Sequence, residues 1–544
     1  MYNKHPVFFA CIVSLLFFII PFLYFYLRIW YRHSIFTNDI VSYVIISVLG
    51  LLFSLFLSRQ FHKKPTDEHK NKLLFFFAAA VICYGFFLFS MTMSNYYRMV
   101  SQSIDIQYYH AELSKLSEFI VPKYEWSQHF EPILFFIVPL YWFFKIAGVL
   151  MFLQAVIFIS GIVPIYLTVK RFLNSRFIGI SLSFAYLAFG GTQFGIAYGF
   201  HPIMFFPTVF FWMYYFYIQR KVMLYILFLL FSLFVKEEVS FIMIFWGIYL
   251  LFIRKDKTFG FITTACGIFW YIFCFQIFFP IFNPGAGFGY WGQYNQTQGT
   301  GVFGLIKFAL LQPLSFLQTL ITPAYKIDTF FQSFGSFGFL LFLFPQSFII
   351  VLPSLLEKLL SNNIAAMNGT HYSAAMTGVT LVATIESLYT ILNKKYFSKQ
   401  VDNYYVFLGV LIFYLALFFN ILYGYYAFSL IPATDRTGYR VNNIMVDPSD
   451  ENLQLLSQVI DSIPSNVSVS AEYQIIPHIH NAFTLIHDIP EAHESSDYVL
   501  VDTQLPPPVL GDTKLLNKYL DDMYNNKKYT LVVNTLGIVM FKKK

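Results

Sequence analysis

The chain has 544 residues, of which 57% are hydrophobic and 21% aromatic but only 12% charged, about half the ~25% charged share of ordinary soluble domains. With 69 Phe, 39 Tyr and a mean hydropathy of +0.59, the apolar residues fall in unbroken blocks of spanning length, which excludes a water-soluble protein and defines a polytopic membrane protein. The net charge of +7 hides two unlike parts: residues 432–544 carry 9 Lys/Arg against 14 Asp/Glu, a net −5, and residues 1–431 carry 27 against 15, a net +12. That basic excess belongs to the membrane part, where it reports topology and not nucleic-acid binding.

The first apolar run, Pro6 to Leu27, follows Lys4 and lacks a clear small-residue cleavage site, so it reads as a retained first helix. Further segments of spanning or near-spanning length are 40–57, 73–93, 148–169, 177–196, 203–218, 222–235, 239–253, 258–279, 374–392 and 404–431. Between 303 and 356 lies a Pro-interrupted stretch with room for two more. The basic loops set the orientation: Arg59 to Lys72, Lys170 to Arg176, Arg220 and Lys221, Arg254 to Lys257, and Lys394 to Lys399 all fall on one side. Placing them in the cytoplasm puts the N-terminus inside and predicts about thirteen helices. Arg28 and Arg32 land against the rule, one violation against five agreements.

Pro132 to Ala147 is apolar but too short to span without reversing every later loop, and it is expected to lie along the outer interface with part of 303–323. Beyond Ile431 the composition becomes soluble-like. Ser449 followed by Asp450, Glu451 and the spacing Leu453, Leu456, Ile460 predicts a capped helix. Val467 to Tyr473, Tyr498 to Asp502 and a hairpin from Tyr529 to Phe541 turning at Asn534 to Gly537 predict strands. The expected architecture is therefore an all-α polytopic membrane protein with a small C-terminal extracytoplasmic α/β domain. Its divisions are 1–72 (two N-terminal helices and a basic cytoplasmic loop), 73–431 (the transmembrane core) and 432–544 (the outer domain).

The polar residues left on the outer side are few. Loop 94–131 holds five of the fifteen carboxylates of residues 1–431: Asp105, Glu112, Glu118, Glu125 and Glu131. Asp105 lies among Tyr96, Tyr97, Tyr108 and Tyr109, near the interface, where partial desolvation raises the basicity of a carboxylate and suits it to act as a general base. The spacing of Glu112, Glu118 and Glu125 suits one solvated helix face. Glu131 and Pro132 read as an ordinary helix start, which leaves His129 unexplained.

His201, in Phe200-His201-Pro202, sits at a tight turn where an imidazole can hold a phosphate oxygen or orient a carboxylate; as a His-Pro pair it also simply ends a helix. Lys236-Glu237-Glu238 interrupts a 32-residue apolar stretch from 222 to 253. Lys236 suits a lipid-linked phosphate with a neighbouring Glu as its resting counter-ion, although three charges also fit a snorkelling hairpin tip. His371 begins the helix at 374. The Gly-rich segment 283–301 lacks the strand and Lys-Ser/Thr context of a phosphate-binding loop; its Trp291 and Tyr294 suit stacking on a sugar or anchoring at the interface. Cys11, Cys83, Cys266 and Cys274 sit inside apolar runs and predict neither disulfide nor zinc. Near His478, His480, His487 and His493 no carboxylate or thiol stands at a convincing ligand spacing, so no metal site is expected.

The order of Asp105 in Ser-Ile-Asp-Ile-Gln, His129 to Tyr141, Phe200-His201-Pro202, Val235-Lys236-Glu237-Glu238, Gly247 to Leu250, His371-Tyr372 and Ser470-Ala-Glu with Pro477-His478 resembles a prokaryotic family of predicted multi-pass membrane proteins of unassigned activity. The resemblance runs from about residue 85 to the C-terminus and leaves the first two helices unexplained. That family in turn resembles the GT-C glycosyltransferase superfamily, which includes protein mannosyltransferases and lipid A aminoarabinose transferases. The resemblance implies a GT-C-like core with a long first extracytoplasmic loop, an acidic catalytic residue in it, and a polyprenyl-phosphate sugar donor.

Carried over, Asp105 would be the catalytic base, whereas His201, Lys236, Glu237 and His371 match family motif positions with no assigned role; with His129 they are, by their own chemistry, the candidate residues for substrate or lipid phosphate. Where many GT-C loops pair two acids as D-x-D, this chain has Asp105-Ile106-Gln107, which puts metal dependence in doubt and names no cofactor. The expected partners are membrane lipid, the polyprenyl-phosphate donor and an acceptor glycan, lipid or protein. The alternative is a non-enzymatic transporter or flippase of a lipid-linked or polar solute; it predicts paired broken helices or an inverted repeat, and neither shows in the sequence. A membrane-anchored scaffold for the C-terminal domain is the third reading.

Overall fold

The computed structural model describes residues 67–97, 99, 104–294, 301–323, 325–362, 371–392, 401–423, 451–464, 467–472, 474–479, 486–488, 496–504 and 513–544. The expected segments 6–27 and 40–57, and the end of 404–431, lie outside the described residues, as do Ser449 and His480.

The chain is mostly helical. Helix α1 (Asp67–Tyr97) runs four residues past the apolar block that predicted it. The polar loop that follows is itself structured, as α2 (Ile104–Ser117) and α3 (Lys123–Gln128). From Pro132 to Ala147 two short turns, Pro132–Phe136 and Val138–Tyr141, replace any spanning helix. They bury Leu134, Ile137 and Tyr141 against the protein and expose Phe135, Phe136, Trp142, Phe143 and Phe144. An aromatic outer face of that kind suits an apolar boundary, not bulk water.

Next come α4 (Ala147–Ser160) and α5 (Ile162–Phe172), nearly one rod, then α6 (Arg176–Leu187), capped where the Ser175 hydroxyl accepts the Ile178 N–H, and α7 (Gly190–Tyr198). The antiparallel series α8 (Phe206–Ile218), α9 (Val222–Val235), α10 (Val239–Ile248) and α11 (Lys257–Ile272) follows. Both α10 and α11 end in wide π turns, at Tyr249–Ile253 and Phe273–Phe278. These two helices cross at close range: a Cβ added to Gly247 would stand 2.6 Å from the Thr264 backbone nitrogen, so glycine is what permits the approach.

Helices α12 (Gly301–Leu311) and α13 (Pro313–Ile321) are bent by 110° at the intervening break, where Pro313 removes an N–H from the helical ladder. Then follow α14 (Tyr325–Gly335), α15 (Phe348–Leu360), α16 (Ser373–Leu392) and α17 (Val401–Tyr423). Among the described residues, Leu74–Tyr97, Ala147–Phe172, Lys257–Phe282 and Ser373–Leu392 are long and apolar enough to span, and the bent pair would make a fifth span. Five further apolar helices are shorter. Among the described residues several apolar blocks break into short helices at Gly, Pro or charged residues, so helix length there accounts for fewer crossings than those blocks predict.

The C-terminal part is α/β. Helix α18 (Glu451–Asp461) buries Leu456 and Ile460 as the spacing predicts, adds Val459, and leaves Leu453 half-buried. Strands β1 (Val469–Ala471), β2 (Ile486–Asp488), β3 (Tyr498–Asp502), β4 (Tyr529–Thr535) and β5 (Ile538–Lys543) form one sheet in the order β2-β1-β3-β5-β4. β1 pairs with β2 and β3 in parallel, and β5 pairs antiparallel with β3 and β4. The β4–β5 turn places Leu536 and Gly537 at φ 51° and 85°, the left-handed pair that a tight hairpin requires. Strand β2 and helix α19 (Thr513–Tyr524) were not legible in the sequence. This part meets the membrane helices where the His478 ring stacks on Tyr96 at 4.4 Å.

Candidate functional site

Three short interruptions of helix bring the polar residues together. The first is the start of α2, where Asp105 stands in the first turn. The second is the turn at His201, whose backbone is extended (φ −146°, ψ 123°) because Pro202 disfavours the helical region for the residue before it. The third is Lys236, also extended, between α9 and α10.

His201 Nε2 lies 3.0 Å from Asp105 Oδ2; the imidazole is buried, whereas the Asp105 side chain is 41% exposed and open to an incoming molecule. The His201 turn is held from behind by Gln154 on α4. Its Oε1 accepts the His201 backbone N–H at 2.7 Å, and its Nε2 donates to the Gly199 carbonyl at 2.7 Å. On the other face the His371 ring stacks on His201 with centroids 3.5 Å apart. Burial holds His371 well below the ordinary imidazole range, so the stack does not set two cations face to face.

Glu237 is fully buried and ties this region together: it accepts from His129 Nδ1 at 2.8 Å and from the Phe130 backbone N–H at 3.1 Å. The His129 ring in turn stacks on Tyr290 at 4.6 Å. Lys236 Nζ lies 3.4 Å from Glu238 Oε2 and 5.7 Å above the Tyr372 ring. Asp105 and Lys236 both act electrostatically on Tyr290 and Tyr372. Tyr109, one helical turn beyond Asp105, donates to Glu131 Oε1 at 3.1 Å; burial raises its phenol well above the ordinary range and keeps it a donor.

All six expected residues, Asp105, His129, His201, Lys236, Glu237 and His371, thus converge although they are spread over 267 positions of sequence. The reading of Glu112, Glu118 and Glu125 as one solvated face is corrected. Only Glu118 is solvent-facing, paired with Lys145 at 2.9 Å. Ser117 ends α2, so Glu125 belongs to α3, folds back and pairs with Lys115. Glu112 is buried and accepts from Trp126 Nε1 at 3.0 Å; burial, followed by the neighbouring Glu125, pushes its carboxyl up to about 8. Glu131 is likewise no mere helix start: its side chain makes no cap and turns to Tyr109 instead.

Sequence reasoning named Tyr372 only beside His371, and it passed over Gln154, Tyr290, Glu357 and Lys358. The last two close α15 within electrostatic reach of Lys236 and Glu238 and of Glu357, respectively, and Lys358 Nζ donates to Ser373 Oγ at 2.9 Å. Gln154 did carry a signal, as a lone amide in an apolar run; a single Tyr among 39 carries none. Among the described residues no three His, Cys, Asp or Glu side chains gather as a metal site would require.

Fold and site together define a polytopic helical membrane protein with a polar cluster gathered where its helices break, joined to a small α/β sheet. The chain belongs to the family of predicted membrane proteins DUF2079, whose model matches residues 93–540. No curated protein matches it. Two solved structures are similar at the level of chain course: ArnT from Cupriavidus metallidurans bound to undecaprenyl phosphate (TM-score 0.44, 10% identity, 86% of this chain and 98% of that one) and the same protein in the apo state (0.41, 9%, 87% and 98%). Likeness at this level carries no weight for activity.

Proposed function

We propose that the protein is a GT-C-like membrane glycosyltransferase, moving a sugar from a polyprenyl-phosphate donor to an acceptor on the extracytoplasmic face of the cell membrane. In this reading residues 1–72 are two N-terminal helices and a cytoplasmic loop, 73–431 the catalytic core, and 432–544 an outer domain, with the N-terminus in the cytoplasm. The observation that carries the proposal is an accessible carboxylate, Asp105, oriented by His201, together with a buried cation, Lys236, that acts on the same two tyrosines, Tyr290 and Tyr372.

Asp105 takes the proton of the acceptor hydroxyl as its oxygen attacks the anomeric carbon. The bond from that carbon to the phosphate oxygen breaks, and the lipid phosphate leaves with the electron pair. Lys236 is poised to neutralise it, exchanging Glu238 for the phosphate; a fixed charge in a water-poor site is worth far more than in water. His201 holds the Asp105 carboxylate in place, His371 backs the His201 ring, and His129 with Glu237 anchors the loop to the Lys236 turn. The acceptor is a glycan, lipid or protein hydroxyl or amine.

The test is Asp105→Asn, produced at normal levels in the host. The proposal expects loss of one glycan or glycolipid species, and an unchanged profile overturns it.

A further inference from the structure

We propose that Glu131 contacts the substrate directly: its Oε2 donates a hydrogen bond to a phosphoryl oxygen held against Lys236. The inference rests on the proposed function and assigns a second donor to its leaving group. Glu131 is 4% exposed. Its Oε1 is filled by the Tyr109 hydroxyl, and its Oε2 is buried with no hydrogen-bond partner. Such an oxygen is unusual, because buried polar atoms are nearly always paired and an unpaired one carries its full desolvation penalty. The backbone before Pro132 (φ −126°, ψ 69°) fixes the residue at the mouth of the Pro132–Phe136 turn.

The groups that face Glu131 are Tyr108, Tyr109 and Glu112 from α2, Lys236 and Glu237 from the α9–α10 turn, and Tyr290. Burial drives the Glu131 carboxyl well above its ordinary range; Lys236 opposes this, and Glu237 and Glu112 add to it. That direction favours the protonated carboxylic acid. Because Tyr109 already donates to Oε1, the proton belongs on Oε2, which makes that oxygen a donor. A carboxylic acid O–H beside an ammonium group suits a phosphoryl oxygen, which accepts from both. During transfer Glu131 keeps its proton: the acceptor proton goes to Asp105, the electron pair goes to the phosphate, and Glu131 shares its O–H with the growing charge.

The test measures undecaprenyl phosphate binding to the full-length protein in nanodiscs from pH 6 to 10, for wild type, Glu131→Ala and Glu131→Gln. Glu131→Ala is expected to bind about ten- to a hundredfold more weakly, the loss of one hydrogen bond to a charged group. Glu131→Gln keeps an N–H donor and is expected to stay within a few-fold of wild type. Wild-type affinity should fall as rising pH removes the Glu131 proton, and Glu131→Gln should lack that alkaline limb. Glu131→Ala binding as tightly as wild type, or Glu131→Gln retaining the wild-type alkaline limb, overturns the role of Glu131 alone. Wild-type protein that binds no polyprenyl phosphate overturns the proposed function instead. Inorganic phosphate competing at equal affinity assigns free phosphate to the site and overturns the lipid assignment.

Discussion

Glu237 offers the sharpest stability test of the polar cluster. It is wholly buried and accepts two hydrogen bonds from the far side of the loop, from His129 Nδ1 at 2.8 Å and the Phe130 N–H at 3.1 Å. Glu237→Ala leaves both donors without their acceptor, the Phe130 N–H in the interior and His129 in a half-buried position. At about 1.5–3 kcal/mol for each bond to a charged group, the loss is about 3–6 kcal/mol, which agrees with the ~3–5 kcal/mol cost of breaking a buried pair. Glu237→Gln keeps one acceptor and should lose about half. His129→Ala strands the carboxylate with the Phe130 N–H alone, and its cost should overlap that of Glu237→Ala. The assay is a double-mutant cycle on reversible SDS unfolding in mixed micelles, read by tryptophan fluorescence. The geometry predicts a coupling of about 1.5–3 kcal/mol between the two positions. Losses that add within about 0.5 kcal/mol, as for independent sites, would refute the clamp.

Three other perturbations have definite expected outcomes. Glu386, fully buried on α16, accepts from Tyr214 at 2.7 Å, Tyr249 at 3.0 Å and Arg254 Nε at 3.1 Å; Glu386→Ala should cost about 3–5 kcal/mol in the same unfolding assay, and a loss below about 1 kcal/mol contradicts the lock. Gln154→Leu removes the partners of the His201 N–H and the Gly199 carbonyl, which should cost about 1–3 kcal/mol for each group left unpaired and weaken the host phenotype that depends on Asp105; an intact phenotype shows that His201 needs no support from α4. Burial pushes Glu472 up to about 8 from an ordinary value of 4.5, so the folded protein holds a proton that the unfolded chain releases. Stability of the C-terminal sheet should therefore fall as pH rises from about 4.5 to about 8, and Glu472→Gln should flatten that slope in a pH series of thermal unfolding; an unchanged slope removes Glu472 as its cause.

The candidate site was legible because the background is so empty. In a chain with 12% charged residues, Asp105, Lys236 and Glu237 stand out once the basic loops are assigned to one face, and the two X-Pro turns mark His201 and Glu131 through backbone sterics alone. The role of Glu131 was not legible, because Pro after an acid has a local explanation that is correct for the backbone and silent about where the carboxyl points. Glu112 and Glu125 misled because their spacing was read as continuous helix, whereas Phe119 at φ 61° and Pro122 turn the chain back on itself. Glu386 was hidden for a different reason: its partner Arg254 also satisfies the topology rule, and a residue with one adequate explanation attracts no second. In the fold, block length found the long helices, whereas the breaks inside 177–196 and 303–323 fall at Gly190 and Pro313, single residues that an average over the block passes over.

The most direct test of the central claim is a cryo-electron microscopy structure of the wild-type protein in nanodiscs with undecaprenyl phosphate. The account predicts the phosphate about 3 Å from Lys236 Nζ, with Glu238 displaced from that cation, Glu131 Oε2 against a phosphoryl oxygen, and the isoprenoid tail running out between the helices. Density for the phosphate at another site, or a Lys236–Glu238 pair left intact beside bound lipid, would contradict it.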